Sequence, residues 1–172
     1  MAFADVGAAS GAITVMMATL MDSSNVYIQD IDKETLNQDN LDKIINFYSR
    51  QTRQDLRKKN NFHLVIGNEQ QTNLPDSSLD LIYSNATFHV FDSPDSMLLD
   101  LSKKLKPKGT LFIRDSFKND HGEGEFCSNT KCGKPLLTID EFLITMKENG
   151  FKLVKQEPEM SGYPLFGFAL AD

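Results

Sequence analysis

The chain is poor in cysteine and carries no surplus of positive charge. Only two of its 172 residues are cysteines, Cys127 and Cys132, which is too few for the disulfide frameworks of small secreted proteins. The net charge is −6, and a negative chain is disfavoured as a general binder of nucleic acid. These features exclude a disulfide-dense scaffold and argue against a polyanion-binding protein.

Long hydrophobic runs are also missing. No uninterrupted apolar segment reaches the roughly 18 residues that a membrane-spanning helix needs. Residues 1–21 contain no basic residue, and their single charged side chain, Asp5, stands ahead of the apolar run, which argues against a secretory signal. We therefore expect a cytoplasmic protein without a membrane partner.

The remaining composition is typical of one globular domain, with 40% hydrophobic and 24% charged residues. Seven short apolar segments have the character of strands: residues 3–6, 26–28, 62–66, 79–83, 110–114, 151–154 and 165–170. Helical patterns separate most of the first six, whereas only a turn around Ser161-Gly162 separates the last two. The sequence therefore predicts an α/β fold: a doubly wound, mostly parallel seven-stranded sheet with a C-terminal antiparallel hairpin and helices on both faces.

Two N-terminal helices are predicted from their apolar residues. Residues 12–21 are apolar nearly all round, which indicates a buried helix. Leu41, Ile44, Ile45 and Tyr48 have the spacing of one helical face.

Two further helices are predicted from their ends. Ser93-Pro94 starts one, since proline suits a first helical turn, and its inner face extends to Leu105 before Pro107 closes it. Thr138 and Glu141 form a capping box for the other, which ends near residue 150.

The strongest local signal is the segment Asp5-Val6-Gly7-Ala8-Ala9-Ser10-Gly11, between the first strand and the first helix. Gly7 permits a sharp turn and close backbone approach, and Gly11 lets the helix start tightly against the sheet. Such a turn directs helix N-terminal N–H groups into the crevice at the strand ends. A purely structural glycine turn is the alternative.

An acidic residue at the end of the second strand favours a ligand at this crevice. Asp30 follows Gly11 by 19 residues, close to the roughly 20 expected for an acid that binds the ribose diol of a nucleotide-like ligand. Asp32 is the nearby competitor, and alternation along a strand would direct it to the same side. We prefer Asp30 because it stands directly at the strand end.

Together with Gly67-Asn68 after the third strand and residues 80–85 in the fourth, these motifs resemble the class I S-adenosylmethionine-dependent methyltransferases. The resemblance covers residues 3–170 and implies S-adenosylmethionine as cofactor, with S-adenosylhomocysteine as product. The implied cofactor-binding residues are Asp5, Gly7, Ala8, Ala9, Ser10, Gly11, Asp30, Ile31, Asn68, Glu69, Ser84 and Asn85.

The resemblance also implies individual roles. Asp30 would bind the ribose and Ile31 would pack on the adenine. The side-chain oxygen of Asn68, where the family has an aspartate, would accept a hydrogen bond from the adenine amino group. Ser84 and Asn85 would lie near the methionine portion.

Two departures from the family pattern stand out. Ala9 replaces a glycine, and its methyl group is expected to crowd or shift the cofactor. Residues 1–172 also begin at the first predicted strand, so we expect a single Rossmann-like methyltransferase core that lacks the helices usually found ahead of it.

Candidate catalytic residues follow the fourth and fifth strands. Residues 85–89 lie where the family places substrate-facing groups, and His89 is a candidate general base, with capping or packing of the next segment as the alternative. Asp115 is a candidate for orienting an acceptor amine or hydroxyl, and a loop cap would explain it equally well. Phe88 and Phe91 are interpreted as core residues.

The segment after the fifth strand adds two hypotheses. His121 with the two cysteines would leave a four-ligand zinc site incomplete, so no metal is predicted. Residues 118–135 are rich in glycine and charge, and we interpret them as a mobile lid over the acceptor.

The predicted function is methyl transfer to a small-molecule acceptor. The oligomeric state is not determined by the sequence. A nicotinamide-dependent oxidoreductase is the less favoured alternative, because both the G-x-G-x-x-G pattern and a Tyr-x-x-x-Lys pair are missing. A cofactor-binding domain without turnover is the other alternative, and Ala9 and Asn68 favour it.

Overall fold

The computed structural model describes residues 1–118, 134–160 and 163–171, and within them seven strands form a single sheet. The strands are β1 (Ala2–Val6), β2 (Ser24–Asp30), β3 (Asn60–Ile66), β4 (Leu79–Asn85), β5 (Leu105–Arg114), β6 (Phe151–Met160) and β7 (Tyr163–Leu170). The described helices are α1 (Ala12–Ala18), α2 (Gln38–Thr52), α3 (Leu56–Lys59), α4 (Pro94–Lys104) and α5 (Ile139–Glu148), and a single 3-10 turn covers Phe88–Val90. Among the described helices, none is long and apolar enough to cross a membrane.

The strand order is β3-β2-β1-β4-β5-β7-β6. Strands β1 to β5 pair in parallel, and β7 is antiparallel to both β5 and β6. The predicted mostly parallel sheet with a C-terminal antiparallel hairpin is therefore confirmed. The chain reverses its direction across the sheet between β1 and β4, and this switch point is where open α/β sheets bind ligands.

Two buried clusters lie on opposite sides of the sheet. On the first face, which α1, α2 and α3 cover, the cluster consists of Phe3, Val15, Ala18, Val26, Ile28, Leu36, Leu41, Ile45 and Leu56. On the second face, α4 and α5 contribute Leu98, Leu101 and Phe142 to a larger cluster. The neighbours Phe3 and Ala4 belong to different clusters, as the alternation of side chains along a strand requires. The prediction of helices on both faces is confirmed.

The helix ends follow the capping residues. The side chain of Ser93 accepts a hydrogen bond at the start of α4, with proline in its first turn. Thr138 and Glu141 form the predicted capping box of α5, and Gly150 follows that helix with a φ of 80°. Helix α2 buries Leu41 and Ile45, as its spacing predicts.

Three expectations about the elements are wrong. Helix α1 ends at Ala18 rather than at residue 21, and it is not buried all round, because Ile13 and Met16 are almost half exposed. Leu105 belongs to β5, not to α4, since its backbone is extended and it pairs with Leu79, although its side chain is buried in the same core. Helix α3 has no counterpart in the prediction.

Candidate functional site

A crevice of about 270 Å³ opens at the carboxyl ends of β1 and β2, slightly below the range of about 300–1,000 Å³ typical of small-molecule sites. Five of the predicted cofactor-binding residues line it: Gly7, Asp30, Ile31, Asn68 and Glu69. Further lining residues were not predicted to bind the cofactor: Val6, Gln29, Thr87, Val90, Phe91, Asp92 and Met97. The sequence therefore located the crevice but identified only part of its wall.

The turn after β1 has three positive φ angles at alternate residues. They are 75° at Gly7, 49° at Ala9 and 81° at Gly11. A Cβ atom on Gly7 would lie 2.2 Å from Cγ2 of Thr87, so only glycine fits there. Ala9 adopts the left-handed conformation without being a glycine, which places a modest strain in the turn.

Main-chain groups connect this turn to the end of β2. The N–H groups of Gly7 and Ala8 donate to the carbonyl oxygen of Gln29, at 3.0 and 2.9 Å. The N–H of Ala9 donates to Oδ2 of Asp30 at 2.7 Å. These three hydrogen bonds fix the turn against the end of β2 at the mouth of the crevice.

Asp30 retains acceptor capacity for a ligand. Its Oδ2 accepts from Ala9 and its Oδ1 accepts from the N–H of Asp32 at 2.9 Å. A carboxylate offers about four lone-pair positions, so these two bonds leave room for hydroxyl donors. The side chain of Asp32 instead accepts hydrogen bonds from Glu34 and Thr35 and does not line the crevice. The geometry favours Asp30 over its competitor.

Ile31 and Asn68 stand at the margin of the crevice. Ile31 is 53% exposed and lines the crevice, so its side chain offers an apolar surface that a flat ring would cover. The Oδ1 atom of Asn68 accepts from the N–H groups of Gln70 and Gln71, both at 2.9 Å. The oxygen expected to meet an adenine amino group is therefore engaged in its own loop.

Asp5 lies beneath the turn and is 3% exposed. The hydroxyl of Thr14 donates to its Oδ2 at 2.5 Å. Burial raises the pKa of Asp5 to about 6; the hydrogen bond from Thr14 opposes the shift and the charge of Asp30 adds to it. Asp5 therefore supports the turn from below and does not line the crevice.

Ser84 is buried, and its hydroxyl has no hydrogen-bond partner among the described residues. It pairs with Val6, which lines the crevice, in the ladder between β1 and β4. An unpartnered buried hydroxyl costs free energy, so a ligand group at this edge would satisfy it.

The other predicted cofactor-binding residues lie outside the crevice lining: Ala8, Ala9, Ser10, Gly11 and Asn85. The first four contribute the backbone of the turn. The Oδ1 atom of Asn85 instead accepts hydrogen bonds from Tyr83 and Arg114, at 3.2 and 3.1 Å.

A second cavity of about 180 Å³ adjoins the crevice, and Phe91 lines both. Its wall includes His89, Ser116 and Lys134. Phe88 is buried in the core as predicted, but the interpretation of Phe91 as only a core residue is incomplete, because Phe91 also lines both cavities.

The two candidate catalytic residues meet beside this second cavity. Nδ1 of His89 lies 2.5 Å from Oδ1 of Asp115, and the main-chain N–H of His89 donates to Oδ2 at 3.1 Å. Asp115 is 1% exposed and also accepts from the N–H of Ser116 at 2.7 Å. Because a carboxylate only accepts, Nδ1 carries the hydrogen in this pair, and the orientation of the imidazole is fixed.

Several crevice-lining residues that were not predicted follow β4 in the chain, and their position depends on the path of the chain after that strand. Thr87 falls within the segment that the resemblance marked as substrate-facing, so a signal for it existed. Asp92 and Met97 reach the crevice because the 3-10 turn and the start of α4 lie over it, and no local pattern predicts that position.

Some hypotheses fall on residues outside the described ranges. His121, Cys127 and Cys132 all lie there, as does most of the proposed lid over residues 118–135. Within the described part of the chain, no group of three or more metal-ligating side chains occurs.

Comparisons with known proteins agree with this fold. A family model described as a methyltransferase domain matches residues 4–113. The malonyl-[acyl-carrier protein] O-methyltransferase of Priestia megaterium is 29% identical over 112 residues, covering 55% of this chain. The chain spans 40% of the length of that curated relative.

Solved structures share the fold at low sequence identity. A SAM-dependent methyltransferase from Aquifex aeolicus has a TM-score of 0.68 and 22% identity, covering 99% of this chain and 81% of its own. Geranyl diphosphate C-methyltransferase from Streptomyces coelicolor, solved with Mg²⁺, geranyl diphosphate and S-adenosyl-L-homocysteine, has a TM-score of 0.72 and 14% identity, covering 99% of this chain and 73% of its own. The sheet, its glycine turn and the family match together identify this chain as a member of the methyltransferase domain family.

Proposed function

We propose that this chain transfers a methyl group from S-adenosylmethionine to a small-molecule acceptor. The observation that carries the proposal is the Asp30 carboxylate, held by the Ala9 N–H at the mouth of the crevice with acceptor capacity to spare. Family membership supports the reaction class, and the curated relative and one solved neighbour are named for small or carrier-bound acceptors.

The crevice residues fit the cofactor by their chemistry. Asp30 would accept hydrogen bonds from the ribose hydroxyls, and Ile31 would pack against the adenine. The turn over residues 7–11 would allow close approach of its backbone, and Asn68 and Glu69 would contribute polar groups beside the base. The Ser84 hydroxyl would gain the partner that it lacks among the described residues.

When bound, S-adenosylmethionine supplies a methyl group that its sulfonium has already activated. The chain's own residues would bind the acceptor, exclude water and accept a proton from the acceptor. His89, oriented by Asp115, would take the proton of an acceptor that must lose one. Phe91, which lines both cavities, would limit access of water to the space where the acceptor meets the crevice.

The low cysteine content, two residues in 172, supports a cytoplasmic location as part of the same proposal.

Calorimetric titration tests the cofactor assignment directly. Wild-type protein is expected to bind S-adenosylhomocysteine and not NAD. Asp30→Ala should weaken binding of S-adenosylhomocysteine about 100-fold, because two hydrogen bonds to a charged group are lost. Asp32→Ala is the matched control and should change the affinity less than about three-fold. Equal affinities for all three proteins, or tighter binding of NAD, would overturn the proposal.

The second candidate function is cofactor binding without turnover. The left-handed Ala9 and the engaged oxygen of Asn68 favour it, because both differ from what the family pattern leads one to expect. Release of S-adenosylhomocysteine with a panel of hydroxyl, amine and carboxylate acceptors distinguishes the two functions. Tight binding with no release across the panel would favour the second.

A further inference from the structure

A cluster of polar side chains lies on the first face of the sheet, at the carboxyl ends of β4 and β5. Tyr83 packs against the first-face core, and Asn85 follows it two residues later on the same side of β4. Arg114, the last residue of β5, pairs with Asn85 in the strand ladder. Tyr163 begins the neighbouring strand β7.

The guanidinium of Arg114 is half-buried and is held by neutral groups. Nη1 donates to Oδ1 of Asn85 at 3.1 Å, and the guanidinium carbon lies 5.0 Å from the centroid of the Tyr163 ring. No acidic side chain in the described part of the chain forms an ion pair with Arg114. The neighbours therefore fix its orientation but do not neutralise its charge.

Tyr83 also contacts Asn85 and helps to hold its side chain in place. Its hydroxyl donates to the same Oδ1 atom of Asn85 at 3.2 Å. Burial and the Asp5 carboxylate raise the pKa of Tyr83, although Arg114 opposes the shift, so the hydroxyl remains a donor at neutral pH. Asn85 is thereby held between two donors, which keeps its oxygen aimed at Arg114.

Such an arginine is suited to binding an anion. A guanidinium offers five N–H donors in a planar fork, and only one of these donors is used by the described side chains. A partly buried charge without a counter-charge is costly, whereas a carboxylate that binds through two parallel hydrogen bonds would offset that cost.

The cluster residues line neither cavity, so a ligand in the crevice would meet Arg114 by extending along the sheet edge. Strands β1, β4 and β5 are consecutive in the sheet, and neighbouring strands lie about 4.8 Å apart. The end of β5 is therefore about 10 Å across the sheet edge from the turn that follows β1.

We propose that Arg114, positioned by Asn85 and Tyr163, binds a carboxylate group of a ligand of the transfer reaction. The carboxylate belongs either to the methionine end of the cofactor or to an acidic acceptor. The proposal rests on the proposed function, and it adds a requirement for a negatively charged group on the ligand at this edge of the sheet.

The first arm of the test compares two ligands that differ at the methionine end. S-adenosylhomocysteine carries the amino-acid carboxylate, and 5′-methylthioadenosine lacks it. If Arg114 binds the cofactor, Arg114→Gln should lose at least about ten-fold in affinity for S-adenosylhomocysteine, while its affinity for 5′-methylthioadenosine stays within two-fold of wild type. Arg50→Gln, at an exposed arginine of α2, is the control and should match wild type with both ligands.

The second arm tests an acidic acceptor. Succinate and its dimethyl ester are titrated into protein saturated with S-adenosylhomocysteine. If Arg114 binds the acceptor, wild-type protein should bind succinate but not the ester. Arg114→Gln should then lose its affinity for succinate while keeping its affinity for S-adenosylhomocysteine. Arg114→Lys keeps the charge without the fork and should recover part of the lost binding in either arm.

The two proposals fail in different ways. If Arg114→Gln matches wild type in both arms, carboxylate binding by Arg114 is overturned, while the methyltransferase proposal stands. If wild-type protein binds neither nucleoside, the proposed function is overturned, and the carboxylate site falls with it. Retained affinity for 5′-methylthioadenosine shows that the variant is folded, so a loss of S-adenosylhomocysteine binding cannot be a folding defect.

Discussion

The turn after β1 and the His89–Asp115 pair lie at the same edge of the sheet, but they are built from different kinds of group. The turn meets the second strand mainly through main-chain N–H donors, and its shape depends on positive φ angles at Gly7, Ala9 and Gly11. The pair depends on a contact between two side chains that are 26 residues apart. A substitution that alters the φ preference of a turn residue therefore changes the shape of the turn. A substitution of His89 or Asp115 removes their contact while the backbone stays in place.

The largest expected effect separates these two regions by activity. His89→Gln removes the imidazole while keeping a polar side chain of similar length, and turnover should fall about 100-fold for an acceptor that must lose a proton. The affinity for S-adenosylhomocysteine should stay within about two-fold, because His89 does not line the crevice. Release of S-adenosylhomocysteine measures turnover, and calorimetry measures affinity.

His63→Gln is the matched control for this variant. His63 lies on β3, where it stacks on Tyr27 at a centroid distance of 4.5 Å, away from both cavities. Its turnover should equal that of wild type. If the two histidine variants behave alike, His89 has no role in proton transfer, and its bond to Asp115 only anchors the 3-10 turn.

A smaller effect concerns Asp5, which lies beneath the turn and makes the stability of the protein depend on pH. The pKa of Asp5 is about 6 in the folded protein and 3.8 in its ordinary setting, so the folded state prefers the protonated carboxyl. The stability associated with this proton is complete below about pH 4 and is lost as the pH rises through about 6. A shift of this size corresponds to a loss of about 2–3 kcal/mol in the free energy of unfolding.

Asp5→Asn removes this titration while keeping a side-chain oxygen for the Thr14 hydroxyl. Urea unfolding of both proteins between pH 4 and pH 7 measures the effect. The stability of wild type relative to the variant should fall by about 2 kcal/mol over that interval. Other carboxylates titrate alike in both proteins, so the difference isolates Asp5, and parallel profiles would contradict its raised pKa.

The smallest expected effect concerns the strain in the turn itself. Ala9 has a φ of 49°, so Ala9→Gly should stabilise the protein by about 1 kcal/mol. Ala8 does not have a positive φ, and Ala8→Gly in the same turn should give no gain, because glycine only adds freedom to the unfolded chain. The urea midpoints of the three proteins at constant slope measure both effects.

Binding of S-adenosylhomocysteine adds a second readout to the Ala9 comparison. If the methyl group of Ala9 crowds the cofactor, Ala9→Gly should bind more tightly as well as unfold less readily. A gain in stability with unchanged affinity would show that the strain is confined to the backbone of the turn, as expected from its position outside the crevice lining.

The sequence located the crevice after β1 because the signals there are local. A glycine turn between a strand and a helix, followed by an acid at the end of the next strand, follows from the hydrophobic pattern alone. Gly7 and Asp30 were identified in this way and Ile31 through the family resemblance, and all three line the crevice. Asn68 was placed correctly, but the engagement of its oxygen with the next two residues in its loop was not predicted.

The surroundings of the second cavity were predicted less completely because they depend on packing between distant segments. His89 and Asp115 were each identified from a strand end, yet their contact follows from the pairing of β4 with β5 and the course of the 3-10 turn. Packing between distant segments also places Phe91 in the linings of both cavities and leaves Arg114 without an acidic partner among the described residues. The half-exposed side of α1 was missed because apolar composition does not reveal which residues a neighbour covers.

The sequence by itself determined the strands, most of the helices, their capping residues and the turn at the mouth of the crevice, because each depends on the backbone preferences and hydrophobic spacing of nearby residues. Only the tertiary structure decided which side chains meet across the sheet edge: the His89–Asp115 pair, the two cavities that Phe91 lines, and an arginine whose charge has no acidic partner among the described residues. The physical reason is that strand order and register bring together residues far apart in the chain, and no local preference specifies that arrangement.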